Sequence, residues 1–153
     1  MAYKGDERRY GMTDIETAVH TLKEEDLSFV ICKGETVYKS QKHGVAPIVE
    51  LIDSGVCLKG FSAADRVVGK GAALLFVLAG VSEIYSPIIS EPAAETLKLH
   101  DIKFSCDEVV PFIINRRGDG QCPIEEAVKT TDDPADALSV IKRTLAKLSS
   151  TRG

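Results

Sequence analysis

No two of the four cysteines form a C-x-x-C pair; Cys32, Cys57, Cys106 and Cys122 are widely spaced, which gives no disulfide framework and no reason to expect secretion. The first nine residues lack the apolar core of a signal peptide, so the expected compartment is the reducing cytoplasm. Long apolar runs are missing too. The longest, residues 71–81, is far short of the roughly 20 residues that cross a bilayer, and no membrane partner is expected. Positive charge is not in excess: the net charge is -4 at pH 7. That balance argues against a large nucleic-acid surface and leaves room only for a small, focused anion site. Repeats and low-complexity segments are absent.

What is present is 153 residues of ordinary globular composition, 44% hydrophobic, enough for one domain with a real core. Residues 1–12 read as a flexible arm, 13–148 as a single domain and 149–153 as a flexible tail. Thr13 followed by Glu16 spells a capping box for a helix that ends near Glu25. A hairpin follows, residues 27–32 and 35–39, with its turn at Lys33-Gly34. Pro47 opens a short helix through Ile52, residues 56–61 look strand-like, and Ser62 precedes a central helix over 63–78 closed by Gly80. Strands are expected over 84–89 and 102–106, with a helix over 91–99 between them. A buried extended piece then spans 109–114. Helices from Cys122 and from about Pro134 to Leu148, the latter capped by Asp133, complete the chain. A hairpin followed by strand–helix alternation predicts a three-layer α/β/α sandwich around a mixed sheet.

The most informative segment is residues 115–125. It places a polar, glycine-loosened loop and Cys122 directly at a helix start, where Pro123 presets the first helical φ and Glu125 stands where a capping box takes a carboxylate. Unpaired N–H groups at a helix N-terminus favour thiolate over thiol, and Arg116 and Arg117 act in the same direction, while Asp119, Glu125 and Glu126 oppose them. Cys122 is therefore either a nucleophile, with Asp65 or His43 as its partner, or a small residue at a helix start. Cys32, Cys57 and Cys106 lie in strand-like runs and are expected in the core.

Within the expected central helix, Arg66 and Lys70 form a like-charge i,i+4 pair, which an anion in a pocket would relieve, or Asp65 or solvent alone. Gly69 and Gly71 cost about 1 kcal/mol each in a helix interior and imply close approach by backbone or ligand. A phosphate loop fails for want of its first glycine and final hydroxyl. A dinucleotide fingerprint fails because these glycines fall inside the expected helix. Asn115 and Arg116 close the extended piece, as turn and ion-pair residues or as ligand contacts. Ser90 and Glu91 cap the helix that Pro92 begins, yet strand ends beside helix starts are where ligands gather in α/β sheets. The final helix, with Leu138, Ile141, Leu145 and Leu148 at helical spacing, reads as packing or as an oligomer contact, so a homo-oligomer stays open.

Three segments together carry a likeness: residues 65–73 (Asp65, Gly69, Lys70, Ala72 and Ala73), the step from Ile89 to Ala93, and residues 115–125 (Asn115, Arg116, Gly118, Cys122, Pro123 and Glu125). Over about residues 14–143 the chain resembles a small uncharacterised prokaryotic family with a cytidine-deaminase-like fold. Arg66 stands where that family usually has Lys, and Gly71 where it usually has Ala. The resemblance implies the deaminase architecture, in which two helix starts carry the zinc ligands and a proton-shuttling Glu. The corresponding steps here, Ala64-Asp65-Arg66 and Ser90-Glu91-Pro92, offer neither His nor Cys, so neither zinc nor another cofactor is expected.

The sequence thus leads to an expectation of a zinc-free protein of that fold, binding a small polar, nucleotide-like ligand. Lys70 and Arg116 would hold its anionic part, with Arg66, Ser90, Asn115 and Glu125 as further contacts. Asp65 and Glu91 would accept hydrogen bonds from a base or ribose, and Cys122 would serve as nucleophile if there is catalysis. The alternative is a non-catalytic sensor or scaffold of the same fold. No motif names a substrate.

Overall fold

The computed structural model describes residues 11–115 and 118–151. Thr13 caps α1 (Asp14–Glu24) with a reciprocal box: its Oγ1 accepts the Glu16 N–H at 3.2 Å, and Glu16 Oε1 accepts the Thr13 N–H at 2.9 Å. The hairpin β1 (Phe29–Lys33) and β2 (Thr36–Ser40) pairs Lys33 with Thr36, so Gly34-Glu35 makes the turn, one residue later than expected. Gly34 supplies the left-handed φ of 60° that this turn requires. Helix α2 (Ala46–Asp53) carries Pro47 in its first turn.

The next stretch departs most from the sequence reading. Residues 56–61 form no strand: Leu58 and Phe61 are buried anchors, and the chain turns at Gly60, whose N–H meets the Gly80 carbonyl at 2.9 Å. Cys57 is exposed here and not in the core. The expected helix over 63–78 begins as strand, namely β3 (Ser62–Asp65) and β4 (Val67–Val68), interrupted at Arg66, and only then becomes α3 (Lys70–Ala79) with Gly69 as N-cap. Ser62, Ala63, Ala64 and Asp65 are all buried. Alanine favours helix in isolation, but the slot between two strands, roofed on both faces, admits small side chains, and pairing there outweighs propensity. Consequently Arg66 and Lys70 do not face each other on one helix. Gly80, at φ 79°, closes α3 as expected.

The remaining elements are β5 (Glu83–Ser90), α4 (Glu91–Leu99), β6 (Lys103–Val110), α5 (Pro123–Ala127) and α6 (Pro134–Thr151). Helix α6 is capped by the Asp133 carboxylate, which accepts the Asp136 N–H at 3.0 Å, and it runs three residues past the expected end of the domain. Strand β6 is longer than expected, and the expected buried piece at its far end is largely exposed: Val109, Phe112 and Ile114 are 48%, 47% and 57% exposed. They lie on or beyond an edge strand, with nothing among the described residues covering them.

Strand β1 is antiparallel to both β2 and β3. Strands β3 and β4 run parallel to successive halves of β5, as two pieces of one interrupted strand, and β6 runs parallel along β5's other side. The result is a mixed six-stranded sheet in an α/β sandwich. One face carries the larger core, built from Phe29, Ile31, Ala63 and Ile84 against α2, α3, α4, α5 and α6. The other packs Val30, Cys32, Ala64 and Tyr85 against Ala18 and Leu22 of α1.

Helix α3 is central because it can be approached closely. A Cβ on Gly71 would stand 2.7 Å from Ile124 Cγ2 and 3.3 Å from Ile141 Cδ1, so the missing side chain is what lets α5 and α6 close over α3. Gly71→Ala should lower unfolding stability by about 1–2 kcal/mol, overpacking outweighing the helix-propensity gain, as read from the urea midpoint at constant m.

Candidate functional site

The break between β3 and β4 puts Asp65 at the carboxyl end of a central strand, 6% exposed. Burial pushes its carboxyl from an ordinary 3.8 up to about 8, against the opposing pull of the Val67 and Arg66 backbone N–H groups. At neutral pH it is therefore mainly the uncharged acid, able both to donate and to accept a hydrogen bond. It faces a cleft of about 500 Å³ at the ends of β3 and β4. Val45, Ala72, Ile113, Ile124, Leu145 and Leu148 supply apolar wall, and Ser28, His43, Asn115 and Cys122 supply polar edge.

Beneath this cleft, Gly69-Lys70-Gly71 forms a strand-to-helix turn and not a helix interior, so its position in the fold does not exclude a phosphate-binding turn. The slot is nevertheless filled, by a carboxylate of the chain itself. Glu125, 6% exposed, accepts the Gly71 N–H at 3.3 Å with Oε2 and the Ser90 hydroxyl at 3.0 Å with Oε1. Ser90 Oγ in turn accepts the Ala93 N–H at 3.2 Å, capping α4. A Cβ on Gly69 would lie 2.6 Å from the Glu125 carboxyl carbon. One anion thus serves the starts of α3 and α4 together. It is not the capping-box carboxylate of its own helix, which is the role its spacing suggests: Cys122 is the N-cap of α5 but makes no side-chain cap bond.

The other expected site residues divide. Arg66 borders the cleft, but its Nε and Nη2 donate to the Leu27 and Leu22 carbonyls at 2.8 and 3.1 Å, tying down the end of α1. Lys70 does not line the cleft; its Nζ bridges Asp132 at 2.9 Å and the Lys129 carbonyl at 3.2 Å. Asn115 lines the cleft, yet its amide closes the loop, donating to Asp119 at 3.0 Å and accepting the Gly118 N–H at 2.8 Å. Glu91 is exposed at the first turn of α4 and does not line the cleft. Arg116 lies outside the described residues. Asp65, Arg66, Asn115, Cys122 and Glu125 are therefore brought together around one cleft, with Ser90 joined to it through Glu125, while Lys70 and Glu91 are not. Sequence reasoning missed the Ser28, Leu145 and Leu148 contributions, which no motif marks.

The family model described as TM1506, Domain of unknown function (DUF1893), matches residues 17–145. The chain belongs to the DUF1893 family. A crystal structure of a DUF1893 family protein (TM1506) from Thermotoga maritima, at 2.70 Å resolution, is similar with a TM-score of 0.77 and 28% identity, over 96% of this chain and 95% of that one. No curated protein matches. In this DUF1893 chain the glycine turn and Glu125 meet in space as the lock between α3, α4 and α5.

The geometry sets two expected outcomes. Because the folded pKa of Asp65 is raised, the folded state holds a proton that the unfolded chain releases, and this contribution weakens stability as pH rises from about 4 to about 8. Asp65→Asn should remove that slope and be the more stable protein above pH 8, by several kcal/mol and at most about 5, in denaturant titrations across pH. Glu125→Ala should cost about 2–3 kcal/mol by leaving the buried Gly71 N–H without an acceptor, and Glu125→Gln should cost less, in the same assay.

Proposed function

We propose that the cleft beside Asp65 is the binding site for a small polar ligand with a planar ring, of the nucleoside kind, and that the protein is a zinc-free member of the cytidine-deaminase-like fold. The observation that carries this reading is a buried, uncharged carboxyl at the floor of an otherwise largely apolar cleft of about 500 Å³ at strand ends. Apolar walls suit the faces of a ring, and a neutral carboxyl that donates and accepts at once suits its polar edge. Of the two basic groups expected to hold a phosphate, Lys70 is held by Asp132 and Arg116 lies outside the described residues, while Arg66, a further expected contact, is held by α1, so the described residues support the anionic half less well. Ligands without phosphate are thus favoured over nucleotides.

The zinc-free reading rests on donor chemistry. The helix starts at Gly69-Lys70-Gly71 and Ser90-Glu91-Pro92 contain neither His nor Cys, and among the described residues no group of three or more His, Cys, Asp and Glu could hold a metal. A binding role is favoured over cysteine catalysis by the surroundings of Cys122. Its helix has only five residues, with Glu125 and Glu126 in the first turn, and among the described residues no hydrogen bond joins Cys122 to Asp65 or His43. Among the described residues neither feature supplies Cys122 with the base that a nucleophile needs.

A melting series with nucleosides, nucleoside monophosphates and nucleotide sugars tests the assignment. At a hundredfold excess over Kd, a fitting nucleoside should raise Tm by roughly 5–10 °C. The gain should shrink above pH 8 as Asp65 ionises, and Cys122→Ser should leave it unchanged. No shift with any of the three classes would remove the proposal.

A further inference from the structure

Among the described residues, strand β6 is an edge of the sheet. Its inner side is bonded to β5 over its length, whereas among the described residues no strand pairs with its outer side. Such an edge invites another strand, and proteins that keep theirs single shorten it, kink it, interrupt it with proline or place charges along it, as Lys103, Asp107 and Glu108 do here unless those charges find partners. Strand β6 is eight residues long, with no proline, and keeps one register with β5 on both sides of Pro87.

The side chains along β6 also match their own reversed order. Lys103, Ser105 and Asp107 alternate onto one face and are exposed, and Asp107 there accepts the Tyr85 hydroxyl at 3.0 Å. Phe104 and Cys106 alternate onto the other face and pack against the larger core. A two-fold axis perpendicular to the sheet preserves its faces, so residues directly opposite each other must be of the same face. With the axis at Ser105, Lys103 of one copy lies opposite Asp107 of the other, twice, and Phe104 lies opposite Cys106. Across positions 103–107, opposite charges meet in one row and apolar side chains in the other. The competing ion pair of Lys103, to Glu83, is long at 3.7 Å and highly exposed, so Lys103 is available for an exchange of partners.

The apolar surface at the ends of β6 fits the same arrangement. The four most exposed large apolar side chains among the described residues are Leu99 at 76%, just before the strand, and Val109, Phe112 and Ile114 towards and beyond its far end. Antiparallel pairing brings the start of one strand beside the end of the other, so Leu99 of one copy approaches the Val109–Phe112 region of its partner.

We infer that β6 is an isologous interface on which a second copy of this chain pairs antiparallel about Ser105, joining two six-stranded sheets into one. Sedimentation equilibrium of the full chain at tens of micromolar should give twice the 16.5 kDa chain mass. Lys103→Glu should reduce this to the single-chain mass while leaving the melting transition cooperative. The exchange Lys103→Glu with Asp107→Lys should restore the dimer. In a Cys57→Ser background, Ser105→Cys should oxidise to a disulfide with the identical residue of the second copy, because directly opposed strand residues lie about 4.5–5.5 Å apart at Cα. A wild-type monomer at these concentrations overturns the inference. So does a dimer that persists in Lys103→Glu and forms no bond between the two residues 105.

Discussion

The structure depends on a single buried carboxylate. Glu125 is contributed by a short helix late in the chain, and it satisfies the Gly71 N–H at the start of α3 and the Ser90 hydroxyl that caps α4. Two helix N-termini that each favour negative charge are thereby served by one internal anion. The arrangement works only because Gly69 and Gly71 have no side chains: a Cβ at either would collide with Glu125 or Ile124. Gly71, which weakens α3 as an isolated helix, is also the residue that lets α5 and α6 seal it into the core.

That lock also shapes the cleft. The ends of β3 and β4 open into a space bordered by Asp65, Glu125, Ile113 and Ile124, with mostly apolar walls and with Asp65 and Glu125 both buried. Burial keeps Asp65 mainly uncharged near neutrality, so it offers the cleft a group that both donates and accepts hydrogen bonds, while the Glu125 carboxylate is engaged by Gly71 and Ser90. Among the described residues two basic side chains near the cleft hold the scaffold, Arg66 at the end of α1 and Lys70 at Asp132.

Much of the fold was legible in the chain. The Thr13–Glu16 box, the Gly80 stop, Pro92 after Ser90 and the Asp133 cap are local signals, and each marks an element end that the structure contains. Residues 62–65 were not legible, because Ser-Ala-Ala-Asp favours helix by propensity and becomes strand only when β1 and β5 hold it on both sides. The exposure of Cys57 and of Val109, Phe112 and Ile114 was likewise hidden, since an apolar residue reads the same whether an element covers it or not.

For the site, sequence marked Asp65, Asn115, Cys122 and Glu125, which do border one cleft, and also Lys70 and Glu91, which do not. Residue type and spacing carry the chemistry available to a side chain: a carboxyl, a thiol at a helix start, a glycine that allows close approach. They do not carry its partner. Glu125 stands at the spacing of a local cap, yet it binds groups 54 and 35 positions away. By itself the sequence determined the α/β class, the element ends set by short-range caps and turns, and the glycines where packing must be close. Only the tertiary structure decided that small residues would become a central strand, that Asp65 would be buried enough to stay protonated, and which cations would be neutralised, because burial and partner choice depend on contacts between segments far apart in the chain.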